Sequence, residues 1–140
     1  MFTAKVYNVM LGSLSGAMEE VFAAKEVIRK WNQQNAEREG KVFLCCEWST
    51  KPRDLQKVDV IIGIVGNWIG DTSFVEACIE SGKQVILFFN DFQDPNNTIS
   101  REHELVKAIR ARIQDRCICV AYTGAAELKK LLEETIKISL

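Results

Sequence analysis

The sequence contains few prolines and histidines, with 2 and 1 respectively among 140 residues, and it has no strong charge of one sign. Its formal net charge is -1, so no basic field attracts nucleic acid or an anionic lipid surface. No apolar run approaches the roughly 18 residues that a membrane span needs. The start of the chain, residues 1–11, lacks the pattern of a signal peptide. We therefore expect a cytoplasmic protein that binds neither nucleic acid nor membrane.

The single histidine limits the chemistry that the chain can perform. His103 lies in a polar run over residues 100–104, which is typical of the exposed first turn of a helix and disfavours a Ser-His-Asp or Cys-His mechanism. The cysteines are odd in number, lie in apolar segments and lack zinc-finger spacing, which predicts reduced, buried thiols and no metal site. They are Cys45, Cys46, Cys78, Cys117 and Cys119.

What the sequence does contain is an alternation of strand-like and helical segments. The composition, 47% hydrophobic and 26% charged, is ordinary for a globular protein, and the length suits one domain over residues 1–140. Strands are predicted at 5–11, 41–47, 58–65, 84–89 and 116–121, and helices at 17–35, 73–81, 100–115 and 125–138. Only a turn of helix fits after Pro52. This order predicts a three-layer, flavodoxin-like α/β fold with a parallel five-stranded sheet in the order 2-1-3-4-5.

The first helical segment shows a clear apolar stripe. Val21, Ala24 and Ile28 recur at helical spacing, and we expect Met18 and Phe22 to widen the stripe. Trp31 lies on the same stripe and is expected in the core.

The loop after the first strand is the first candidate for ligand binding. In an open parallel sheet, ligands bind beyond the carboxyl ends of the strands where the strand order reverses, here between strands one and three. Gly12 and Gly16 allow close backbone approach, while Ser13, Ser15 and the following helix start offer donors to a phosphate or a ribose. A plain turn with Ser15 as helix cap explains the same residues.

Three further segments, after strands two, three and four, lie at the same edge of the predicted sheet. The loop after strand three is polar and rich in glycine, and an indole facing a cleft can stack on a base or a nicotinamide ring. The alternative is that each tryptophan only covers the end of the sheet and that the aspartate caps a helix. The candidate ligand contacts in these segments are Trp48, Gly66, Asn67, Trp68, Asp71 and Asn90.

Glu76 is the candidate catalytic residue. A carboxylate shortly after this loop can face a ribose, where it stabilises positive charge on the sugar or attacks the anomeric carbon during cleavage of the bond to the base. The alternative is a capping box, in which Glu76 reaches back to the amide of Ser73.

The order of these motifs resembles a family of TIR-like domains of unknown function, and the match covers nearly the whole chain. The matching features are the serine-bearing loop after the first strand, the helix ending in Trp31 and Asn32, and the strand ending in Trp48, Ser49 and Thr50. They continue with the apolar strand led by Asp59, the glycine/threonine loop, the helix bearing Glu76 and the strand that follows Gly82 and Lys83.

The wider group is similar to nucleoside 2-deoxyribosyltransferases and to TIR-type NAD hydrolases. This resemblance implies a flavodoxin-like fold and a pocket for a nucleoside or NAD, as substrate or ligand rather than as a resident cofactor. It also implies an N-glycosidase or transferase in which Glu76 acts on the glycosidic bond, although in the deoxyribosyltransferases the glutamate lies nearer the position of Phe74. Such domains are frequent in bacterial stress and anti-phage systems. The alternative function is therefore a non-catalytic nucleotide-sensing or protein-interaction module, which can form a homo-oligomer.

Overall fold

In the part of the chain that the structure describes, five strands and five helices alternate. The computed structural model describes residues 1–13, 18–46, 51–65, 73–90 and 101–139. The strands are β1 (Lys5–Ser13), β2 (Lys41–Cys46), β3 (Val60–Val65), β4 (Gln84–Asn90) and β5 (Ile118–Tyr122). The helices are α1 (Met18–Glu39), α2 (Pro52–Leu55), α3 (Ser73–Glu80), α4 (Arg101–Ile113) and α5 (Gly124–Ser139). Each predicted element is present, and α2 is the short turn of helix expected after Pro52.

The strands form one parallel sheet in the order β2-β1-β3-β4-β5, which confirms the predicted topology. One face of the sheet packs against α1 and α5, and the opposite face packs against α2, α3 and α4. The result is a three-layer, flavodoxin-like α/β domain. Strand β3 lies in the middle and is buried along its whole length, because helices cover both of its faces. That position explains why its sequence is almost continuously apolar rather than alternating.

Helix α1 is held against the sheet by its expected stripe and by two residues near its carboxyl end. The Trp31 ring is half-buried and meets Phe43 of β2 edge-on, with the ring centroids 4.8 Å apart. Asn32 donates from Nδ2 to the Phe43 carbonyl at 2.8 Å and accepts the Phe43 amide at 3.0 Å. The helix then runs on to Glu39, beyond its predicted end, and stops at Gly40, whose φ of 66° favours glycine.

The expectation that Met18 and Phe22 widen the apolar stripe is wrong. Both side chains are exposed, Met18 at 56% and Phe22 at 64% of their reference areas. Each residue advances a helix by about 100°, so Phe22 is turned away from the face that Val21 and Ala24 bury. The amino-terminal turns of α1 therefore carry two apolar side chains on the protein surface.

The prediction of buried thiols is wrong for four of the five cysteines. All five are free thiols, but only Cys78 is buried; Cys45 is exposed, and Cys46, Cys117 and Cys119 are half-buried. The reason is their position: Cys45, Cys46 and Cys119 lie in β2 and β5, the two edge strands of the sheet, and Cys117 directly precedes β5. Within the described ranges, no helix combines the length and apolarity that crossing a membrane requires.

Candidate functional site

The carboxyl ends of β1 and β3 lie side by side at the point where the strand order reverses. In the register of this pair, Ser13 lies opposite Ile64, and Gly12 lies opposite Gly63. On the other side of β3, the strand β4 ends at Asn90 at the same edge of the sheet. The structure therefore brings the ends of the strands that carry Gly12, Ser13 and Asn90 to one edge, as the sequence predicts.

Two facing glycines, one residue before the end of β1 and two residues before the end of β3, leave a gap in the side chains on one face of these strands. Gly12 and Gly63 are both buried. Because side chains alternate along a strand, both positions fall on the face that carries Met10 and Ile61, which pack together on the α2, α3 and α4 side. Glycine inside a strand commonly marks a place where a ligand or another backbone comes close.

The six other predicted ligand contacts lie outside the described residues. They are Ser15, Trp48, Gly66, Asn67, Trp68 and Asp71, and their roles stay predictions. The structure does show the elements on either side of these segments. Helix α1 begins at Met18 with Glu19 and Glu20 in its first turn, and α3 begins at Ser73.

Tyr122, which the sequence analysis did not single out, lies at the same end of the sheet. It is the last residue of β5 and lies opposite Asn90. Its side chain is fully buried on the face that α1 and α5 cover, yet its hydroxyl has no hydrogen-bond partner within the described ranges. Burial, together with the negative charge of Glu20 at the start of α1, raises the pKa of Tyr122. The sequence signal that would have found it is a tyrosine at the end of an otherwise apolar strand.

Glu76 is held by two arginines. Its Oε1 lies 3.1 Å from Nη2 of Arg112, and its Oε2 accepts a hydrogen bond from Nη1 of Arg116 at 2.8 Å. Arg112 is in the last turn of α4 and Arg116 precedes β5, so both belong to the connection that enters β5 at the amino edge of the sheet. Neither of the two sequence interpretations anticipated this contact. The catalytic role of Glu76 stays a prediction.

Asp59, a further acidic residue near the sheet, has a structural contact. Its Oδ2 accepts the amide of Asn8 at 2.8 Å, and its own amide donates to the Asn8 carbonyl at 2.8 Å. These bonds extend the pairing of β1 with the chain that leads into β3. Among the described residues, no group of three or more His, Cys, Asp or Glu side chains could hold a metal ion.

Comparison with known proteins places the chain by fold. No family model matches it, and no curated protein matches it. Among solved structures it is similar to a short-chain flavodoxin associated with a non-canonical PDU bacterial microcompartment, at a TM-score of 0.53 and 13% identity, with 100% of both chains covered. It is also similar to S. aureus homoserine dehydrogenase, at a TM-score of 0.51 and 12% identity over 88% of this chain. The chain spans 33% of that dehydrogenase chain. These similarities show a shared α/β fold.

Proposed function

We propose that the domain binds a nucleotide or a nucleoside at the carboxyl edge of its sheet, between β1 and β3. The observation that carries the proposal is the pairing of Gly12 with Gly63, one residue before the end of β1 and two residues before the end of β3, where the strand order reverses. Open α/β sheets bind ligands at this position. The missing side chains on both strands are consistent with close approach of a ligand to the backbone.

The charges around α1 favour recognition of a ribose over recognition of a polyphosphate. The amino end of a long helix attracts anions, but here Glu19 and Glu20 occupy the first turn and offset that attraction. Carboxylates are strong acceptors for sugar hydroxyls. We therefore favour a nucleoside, or a nucleotide bound mainly through its ribose and base.

The contacts of Glu76 favour binding without cleavage. To act on a glycosidic bond, the carboxylate would have to leave both Arg112 and Arg116. The finer hypothesis is that Glu76 cleaves the N-glycosidic bond of NAD or a nucleoside, as the resemblance to TIR-like domains implies. That hypothesis is one outcome of the experiment below.

The test is thermal unfolding with a panel of adenosine, deoxyadenosine, AMP and NAD. A ligand at about 100 times its Kd should stabilise the domain by about 2.7 kcal/mol. We expect Ser13→Ala, at the end of β1, to weaken this effect. The matched control is Ser81→Ala. Ser81 lies at the opposite edge of the sheet, between the end of α3 and the start of β4. No shift with any ligand, or equal shifts in the two variants, would contradict the proposal.

The same samples decide between binding and catalysis. Chromatography of the mixture detects free base or nicotinamide. Release by the wild type that disappears in Glu76→Gln, with the ligand-induced shift retained, would support the glycosidase; a shift without release supports the binding module. Light scattering at several protein concentrations tests the third alternative, a module that self-associates.

A further inference from the structure

Two cysteines meet where the chain leaves α4 and enters β5. The Sγ atoms of Cys117 and Cys119 lie 3.8 Å apart, and both residues are half-buried. Their side chains share one face of the sheet because residues two apart on an extended chain point the same way. They pack at the edge of the cluster that contains Ile113. None of the contacts proposed for nucleoside binding involves this pair.

The two thiols are chemically unequal. The contact between the two thiols, in which either sulfur can donate, lowers the pKa of Cys119, and the nearby charge of Arg110 lowers it further; the same contact and burial raise the pKa of Cys117. The Arg110 guanidinium also lies over the Phe89 ring, 5.3 Å from its centroid, which helps to hold the charge in place. The thiolate is the nucleophilic form of cysteine. Cys119 is therefore suited to react first, with Cys117 beside it as a protonated partner.

The backbone spacing permits a bond between the two sulfurs. Two steps along an extended strand cover about 6.6 Å, which falls near the upper end of the Cα–Cα range of about 4.4–6.8 Å that disulfides span. Cys117 precedes Ile118, the first residue of β5, and therefore lies outside the paired part of the strand. A bond near the limit of this range is strained and is therefore more easily reduced than a structural disulfide.

We propose that Cys117 and Cys119 form a dithiol that hydrogen peroxide converts reversibly to a disulfide. The Cys119 thiolate attacks one peroxide oxygen, which breaks the O–O bond and gives a sulfenic acid and hydroxide. The Cys117 sulfur then attacks the Cys119 sulfur; the S–S bond forms and water leaves with the Cys117 proton. In total, two thiols are oxidised, one peroxide is reduced, and two waters form. A dithiol reductant reverses the change by thiol–disulfide exchange.

Mass spectrometry of the full chain after peroxide treatment tests the proposal. Trypsin cuts after Arg116 and Lys129, so the peptide 117–129 contains both cysteines and no other cysteine. We expect this peptide, isolated without reductant, to lose the mass of two hydrogens and to regain it after treatment with a dithiol. Cys119→Ser and Cys117→Ser should abolish the loss. The matched control, Cys45→Ser with Cys46→Ser, should retain it.

Three results would overturn the proposal. These are a peptide 117–129 that only gains oxygen, a two-hydrogen loss that persists in Cys119→Ser, and a loss that disappears in the Cys45/Cys46 control. Because a serine variant can fail to fold, the wild-type chain is also treated with phenylarsine oxide, which bridges two neighbouring thiols with release of water. One arsenical on peptide 117–129 supports the pair, and none on this peptide contradicts it.

Discussion

Replacing Tyr122 with phenylalanine should make the domain more stable at neutral pH. The substitution keeps the fully buried ring in the cluster that α1, α5 and the sheet form, and it removes a hydroxyl that has no partner within the described ranges. Leaving a buried polar group unsatisfied costs about 1–3 kcal/mol. Taking the lower end of that range, we expect a gain of about 1 kcal/mol, which corresponds to a rise in Tm of about 3 °C for a domain of this size.

The same variant should also change how stability depends on pH. Burial and the Glu20 carboxylate raise the pKa of Tyr122 in the folded state, so the folded protein retains this proton more strongly than the unfolded chain does. Below about pH 10, the ordinary pKa of tyrosine, both states keep the proton and the wild type has its full stability. Above that pH the unfolded chain loses the proton first, so the free energy of unfolding of the wild type falls. The advantage of Tyr122→Phe should therefore grow above pH 10, by up to about 1.4 kcal/mol per pH unit.

The measurement is urea unfolding followed by tryptophan fluorescence between pH 7 and pH 10.5, with the wild type and the variant compared at each pH. Tyr7→Phe is the matched control, because Tyr7 is only half-buried and packs on Phe43 through its ring. We expect little change in that control. A loss of 1 kcal/mol or more in Tyr122→Phe at pH 7 would refute the reasoning, since it would mean that the hydroxyl is well satisfied in the folded protein.

Three further substitutions test the contacts that hold the layers together. Asn32→Ala removes both hydrogen bonds to Phe43 and should cost about 2 kcal/mol of unfolding free energy, measured in urea. Asp59→Ala removes the side-chain acceptor of the Asn8 amide and should cost about 1 kcal/mol, measured as a fall in the urea midpoint. Phe88→Ala opens a cavity at a side chain with 0% exposure and should cost about 3–5 kcal/mol, measured by circular dichroism.

The first and the third of these substitutions have simple controls. Gln33→Ala lies next to Asn32 but is exposed, so it should leave the midpoint within about 0.5 kcal/mol of the wild type. Equal effects at positions 32 and 33 would contradict the role of the Asn32 bonds. Phe88→Leu keeps most of the buried volume and should cost clearly less than Phe88→Ala. Equal losses would mean that packing does not determine the effect.

The fold could be predicted from the sequence because the strongest local patterns agree with the final burial. The apolar run ending at Val65 is a central strand covered on both faces, and the stripe through Ala24 faces the sheet. The errors for the cysteines arose where burial depends on the position of a strand in the sheet. Cys45 lies on an edge strand and is exposed, although its sequence neighbours are as apolar as those of a core strand.

The candidate site was predictable only in part, for a related reason. The placement of Gly12 and Ser13 at this edge could be predicted because parallel strands end at a shared edge whatever their side chains are. The partners of Glu76 were not found, since Arg112 and Arg116 lie 36 and 40 positions further along the chain. Spacing along the sequence relates Glu76 only to near neighbours such as Ser73. Contacts between α3 and the end of α4 depend on how the helices pack over the sheet.

Helices α1 and α3, which follow β1 and β3 on the two sides of the candidate site, differ greatly in length. We therefore expect them to differ in local stability. Helix α1 has 22 residues and α3 has 8, so about 18 and about 4 of their amides respectively bond within the helix. The shorter helix should open locally at a free energy well below that of global unfolding. Amide hydrogen exchange should therefore be fast in α3 and slow in α1. A bound nucleoside that contacts both helices should slow exchange mainly in α3, because α1 already exchanges slowly without a ligand.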